Sequence, residues 1–109
     1  MAHIVVVEDS ASVRRLVTLI LEGAGHRVTT AESGAGLRQT TPPAELLITD
    51  LTLPGGDGVE LATRVIREWQ PAPRVLFMSG QVDRPLPFGL ITKPFSAERL
   101  CAQVQEALL

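Results

Sequence analysis

Polar, reactive residues stand directly after four short apolar runs. Glu8 and Asp9 follow "HIVVV", Asp50 follows "LLIT", Ser79 follows "RVLFM", and Lys93 follows "LIT". Three carboxylates brought to one point repel each other strongly unless a cation joins them. Hard carboxylate oxygens with room for water suit Mg²⁺. Lys93 would supply a second positive charge. It is the one lysine among ten basic residues, the others being arginine. A compact, rotatable ammonium at 93 therefore reads as a requirement rather than a general cation. Ser79 offers a short hydroxyl able to donate to an oxyanion. A divalent metal, an ammonium and a hydroxyl around one carboxylate handle anions. An aspartate in such a site is equipped to act as a nucleophile and form an acyl phosphate.

These groups need elements that bring them together. The run at residues 3–7 is rich in β-branched residues and reads as a strand buried on both faces. Ser10 caps a helix in which Val13, Leu16, Val17, Ile20 and Leu21 form one apolar face, and Gly23 and Gly25 stop it. "RVTTA" is a second strand. "SGAGLRQT" makes a poor helix, because Gly34 and Gly36 each cost about 1 kcal/mol against Ala, and Pro42 and Pro43 end it. "ELLIT" is the third strand, broken off by Pro54-Gly55-Gly56. Asp57 caps a helix carrying Val59, Ala62, Ile66 and Trp69, closed by Pro71 and Pro73. "RVLFM" and "LIT" are the fourth and fifth strands. Ser96 caps a last helix with Leu100, Val104 and Leu108 on one face. Between Gly80 and Ile91 the chain holds Pro85, Pro87 and Gly89, which predicts a loop rather than a regular helix.

Strands alternating with helices imply an α/β fold with a doubly wound, five-stranded parallel sheet. Ligands of such sheets bind outside the carboxyl ends of the strands, which is where the reactive groups stand. The 109 residues are expected to form a single domain, 1–109, long enough for a core. A net charge of −2 gives no reason to expect direct nucleic-acid binding. No apolar run approaches membrane-spanning length, and "MAHIVVVEDS" lacks the basic start of a signal peptide. With Cys101 as the one cysteine, the expected location is cytoplasmic. Cys101 and Trp69 read as packing residues. His3 and His26 lack ligand-spaced partners, which disfavours zinc.

"VVVEDS", "LLITDLTLPGGDG", "VLFMSG" and "ITKPF" together resemble the four signatures of the response-regulator receiver domain of two-component phosphorelay signalling, in order and over nearly the whole chain. The resemblance implies a flavodoxin-like strand order, 2-1-3-4-5. It implies Asp50 as phosphoacceptor and Glu8 and Asp9 as the acidic pair, with Asp9 the direct Mg²⁺ ligand. Asp50 and the Thr52 backbone carbonyl would join the metal shell. Ser79 and Lys93 would bind the phosphoryl group, and Thr52 and Gln81 would tune its lifetime. The donor would be a histidine kinase or histidine phosphotransfer domain. Such a module catalyses only its own phosphorylation and dephosphorylation. Two departures stand out: the family's fourth helix is replaced by a loop, and Leu90 occupies the switch position where the family usually has an aromatic ring. The alternative is a receiver-like interaction domain that no longer signals through phosphorylation. An aspartyl phosphohydrolase fits poorly, since such enzymes resemble D-x-D-x-[TV] after the first strand. Here the acid follows the third strand and Thr52 replaces the second acid.

Overall fold

The computed structural model describes residues 1–80 and 85–109. Along the chain run β1 (His3–Val7), α1 (Ala11–Gly23), β2 (Arg27–Ala31), β3 (Leu46–Asp50), β4 (Thr52–Leu53), β5 (Gly56–Asp57), α2 (Gly58–Glu68), β6 (Arg74–Ser79), β7 (Gly89–Thr92) and α3 (Ala97–Leu108). Five strands form one sheet in the order β2-β1-β3-β6-β7, with every pairing parallel. Counting only those strands, the order is the expected 2-1-3-4-5. The fourth parallel strand runs one residue further than its apolar run, and the fifth starts one residue earlier.

The uninterrupted apolar runs are explained by burial on both faces. Side chains alternate across a strand. Ile4, Val6, Leu46, Ile48, Leu76, Met78 and Ile91 pack with Val17 and Leu21 of α1 and with Leu100 and Val104 of α3. Val5, Val7, Leu47, Val75 and Phe77 pack on the opposite face with Leu61, Ala62 and Val65 of α2 and with Trp69. The sheet is therefore doubly wound. Trp69 closes α2 as a buried anchor, as expected. The three predicted caps form. The Ser10 hydroxyl accepts from Val13 N at 3.4 Å, Asp57 Oδ1 from Val59 N at 2.6 Å, and the Ser96 hydroxyl from Arg99 N at 3.0 Å. Leu16 departs from the predicted face. It is 49% exposed because α1 turns Val17 and Leu21, not Leu16, into the sheet.

Among the described residues there are three helices. The weak helix at 33–40 does not form, and the crossover from β2 to β3 is a loop. Side chains fix that loop to α2 and to the segment just after it. Arg64 Nη2 donates to the Gly34 carbonyl at 3.0 Å, and the Gln39 carboxamide both donates to the Gln70 carbonyl and accepts from Gln70 N at 2.9 Å. His3 holds the far end of the loop. Its Nδ1 donates to the Pro42 carbonyl and its Nε2 accepts from the Thr29 hydroxyl, each at 2.8 Å. The other loop, before β7, carries no helix at residues 85–88. There the half-exposed Phe88 ring lies tilted against buried Phe77, with centroids 6.1 Å apart.

Candidate functional site

The carboxyl ends of β1, β3, β6 and β7 are fixed by ladder bonds that continue past the strands. Glu8 N donates to the Ala31 carbonyl at 3.0 Å, Leu51 N to Met78 at 3.1 Å and Lys93 N to Ser79 at 2.9 Å. Ala31, at the otherwise uneventful end of β2, thus helps to place Glu8. Glu8 is only 1% exposed. Its Oε1 accepts from Lys93 Nζ at 2.6 Å and its Oε2 from Ser10 N at 2.9 Å. Asp50 is 9% exposed, with Oδ2 accepting from the same Nζ at 2.8 Å. The Thr52 amide donates to Asp50 Oδ1 at 3.4 Å. Asp9 is exposed at the rim, and one oxygen from each of Glu8, Asp9 and Asp50 lies within 4.8 Å of the others. Ser79 is buried at the end of β6 and pairs in register with Thr92, the residue before Lys93.

Burial dominates the electrostatics of this pocket. Loss of water pushes the Glu8 carboxyl above its ordinary 4.5, and the hydrogen bonds from Lys93 and Ser10 N only partly oppose it. Burial pulls Lys93 down, but hydrogen bonds to Asp50 and Glu8 outweigh it and hold the ammonium above its ordinary 10.5. Lys93 therefore stays charged and bridges two carboxylates. Three carboxylates against one ammonium leave the cluster short of positive charge, and its all-oxygen donor set fits a hard divalent cation.

Thr52 begins a small antiparallel hairpin in which it pairs with Asp57, and Gly55 turns the chain at φ +74°. The hairpin delivers α2 against the back of Asp50. Gly58, the first residue of α2, donates its N–H to the Leu51 carbonyl at 2.8 Å. A Cβ at this position would fall inside the Asp50 carbonyl oxygen and 3.0 Å from Leu51 Cα. Gly58 is a site residue that pattern reading passed over. The signal was a glycine spent on a helix position where it costs stability.

The structure thus brings Glu8, Asp9, Asp50, Thr52, Ser79 and Lys93 to one sheet edge. Leu90 lies opposite Phe77 on β7, partly buried against the α2-side core. The expectation for Gln81 lies outside the described residues.

The family model for the response regulator receiver domain matches residues 4–105. The chain is 32% identical to the response regulator receiver protein CpdR of Brucella abortus, covering all of this chain and 98% of that protein. It is 30% identical to the transcriptional regulatory protein FixJ of Bradyrhizobium diazoefficiens, but spans only 56% of its length. Among solved structures it is similar to the chemotaxis response regulator CheY4 of Vibrio cholerae, with a TM-score of 0.82, 26% identity and 99% of each chain covered. Among the described residues, no helix is long and apolar enough to cross a membrane. Receiver domains of this kind are regulatory modules rather than classical enzymes. In its fold, in the four signatures at its strand ends and in its relatives, the chain belongs to the response regulator receiver domains of two-component systems.

Proposed function

We propose that the chain accepts a phosphoryl group on Asp50 from a phosphohistidine of a histidine kinase or phosphotransfer domain. The observation that carries this reading is the pairing of Asp50 Oδ2 with Lys93 Nζ at 2.8 Å beside the Glu8–Asp9–Asp50 cluster. An Asp50 carboxylate oxygen attacks phosphorus, the phosphorus–nitrogen bond of the donor breaks, and the imidazole leaves with the electron pair and takes up a proton. Asp9, Asp50 and the Thr52 carbonyl, with Glu8 behind them, are the residues that would hold Mg²⁺. When bound, that ion offsets the charge of the transferring group. Lys93 and Ser79 would bind the new phosphoryl oxygens, and the neighbours Thr52 and Gln81 would set how fast water removes it. The rigid ends of β3 and β7 hold Asp50 and Lys93 in place before the donor arrives, so little reorganisation is needed.

The test is intact-mass analysis after incubation with Mg²⁺ and acetyl phosphate. The wild type should gain the mass of one phosphoryl group, and Asp50→Asn should gain none. Leu90, with no ring at the switch position, favours a second reading as an interaction module that has dropped phosphate. An unmodified wild type under conditions that load an ordinary receiver would contradict the first reading and favour the second.

A further inference from the structure

Glu8 and Asp9 are adjacent, and adjacent residues of an extended strand point to opposite sides. Both reach the same cluster because the chain leaves β1 at Val7 and turns before α1 begins at Ala11. That turn takes the carbonyls of Glu8 and Asp9 out of the sheet ladder, and the partly buried Glu8 carbonyl in particular needs a donor. Arg14 supplies it. From within α1, its Nη1 donates to the Glu8 carbonyl at 2.7 Å and lies 3.4 Å from the Asp9 carbonyl. The choice of residue runs against helix electrostatics. The first turn of α1 contains no acid and is followed at once by Arg14 and Arg15, at the end of a helix where the macrodipole disfavours cations. Arg15 is exposed, whereas Arg14 is half-buried and folds back onto the turn.

We infer that Arg14 is a positioning residue for the divalent-cation site: its guanidinium fixes the Glu8–Asp9 backbone so that two consecutive carboxylates face one ion. The inference rests on the metal reading given above. It makes an unusual prediction of sign. A cation near a metal site repels the ion, so deleting its charge alone would tighten metal binding. Deleting a group that orients ligands loosens it, by about tenfold or more for partners of ligating residues.

The experiment is Mn²⁺ titration of the unphosphorylated protein, followed by electron paramagnetic resonance, on wild type, Arg14→Met, Arg14→Lys, Arg15→Met and Asp9→Ala. Arg14→Met should bind Mn²⁺ about tenfold more weakly. Arg14→Lys keeps the charge on a side chain one atom shorter, which draws the donor back from the two carbonyls, and should also bind more weakly, while Arg15→Met should match or slightly exceed the wild type. Amide exchange at Asp9 and Ser10 should speed up in both Arg14 variants. Should Arg14→Met fail to fold, Arg14→Lys and its exchange rates carry the decision. Binding by both Arg14 variants as tight as, or tighter than, the wild type would overturn the positioning role while leaving the metal site standing. Binding that is equally strong in Asp9→Ala would remove the metal site itself, and the role of Arg14 with it.

Discussion

Glu8 and Lys93 make the sheet edge sensitive to pH in a way whose sign follows from their surroundings. Glu8 is held above 4.5, so between that value and its raised pKa the folded chain binds a proton that the unfolded chain has lost. Stability therefore falls as pH rises through that window. Lys93 is held above 10.5, so its stabilisation is complete below 10.5 and is lost as pH rises through the raised value. Denaturant unfolding across alkaline pH should show a limb of falling stability that Lys93→Met abolishes. At neutral pH the same variant leaves buried Glu8 without its cation. Its cost should be about 1–3 kcal/mol, below that of breaking a fully buried pair because Lys93 remains partly exposed. A variant as stable as the wild type at pH 7 would show that the bridge between Glu8 and Asp50 is energetically idle. Gly58 makes a steric prediction. Gly58→Ala must displace α2 from the Asp50 peptide and should cost roughly 1–3 kcal/mol, as other overpacked sites do. Phosphoryl acceptance should fall with it, and wild-type stability in that variant would mean that α2 has room to withdraw.

At the scale of elements, most of the framework was legible in the sequence. Short apolar or β-branched runs ending on polar residues marked the five parallel strands, and Ser10, Asp57 and Ser96 marked three helix starts. Cap chemistry and burial on both faces are local properties, so they can be read without a fold. The exposure of Leu16 was not legible, because a helical apolar stripe does not say which of its edges meets the sheet. Nor was the β4–β5 hairpin, whose two-residue strands are too short to show a period. The convergence of Glu8, Asp9, Asp50, Ser79 and Lys93 followed from the strand-end rule. The supporting contacts of Ala31 and Gly58 did not, since the first joins segments distant in sequence and the second depends on how the short β4–β5 hairpin folds back on Asp50. The same holds for the loop between β2 and β3. Its glycines argued against a helix, but the bonds from Arg64 and Gln39 that replace one were invisible. Arg64→Ala should speed amide exchange across residues 34–39, with little change at Asp50 and a cost of about 1 kcal/mol for the lost hydrogen bond. Unchanged exchange there would assign the ordering of that loop to His3 and the Gln39–Gln70 pair.

For the whole molecule, the metal site proposed above would couple ion binding to folding. A cation that binds only the folded chain stabilises it by an amount that grows with the logarithm of its concentration over Kd. Thermal unfolding should therefore shift upward with added Mg²⁺ in the wild type. Asp9→Ala should abolish the shift, and Glu32→Ala, just beyond the end of β2, should leave it intact. Equal shifts in the two variants would take Asp9 out of the site. The central claim, that Asp50 carries the phosphoryl group, is tested most directly by locating the acyl phosphate. After phosphorylation with acetyl phosphate and Mg²⁺, borohydride reduces an aspartyl phosphate to homoserine, which peptide mapping places in the sequence. Conversion confined to residue 50 is the predicted result. Homoserine at residue 9, or the one-carbon-longer hydroxy amino acid at residue 8, or a phosphorylated protein with no reducible acyl group, would contradict the assignment.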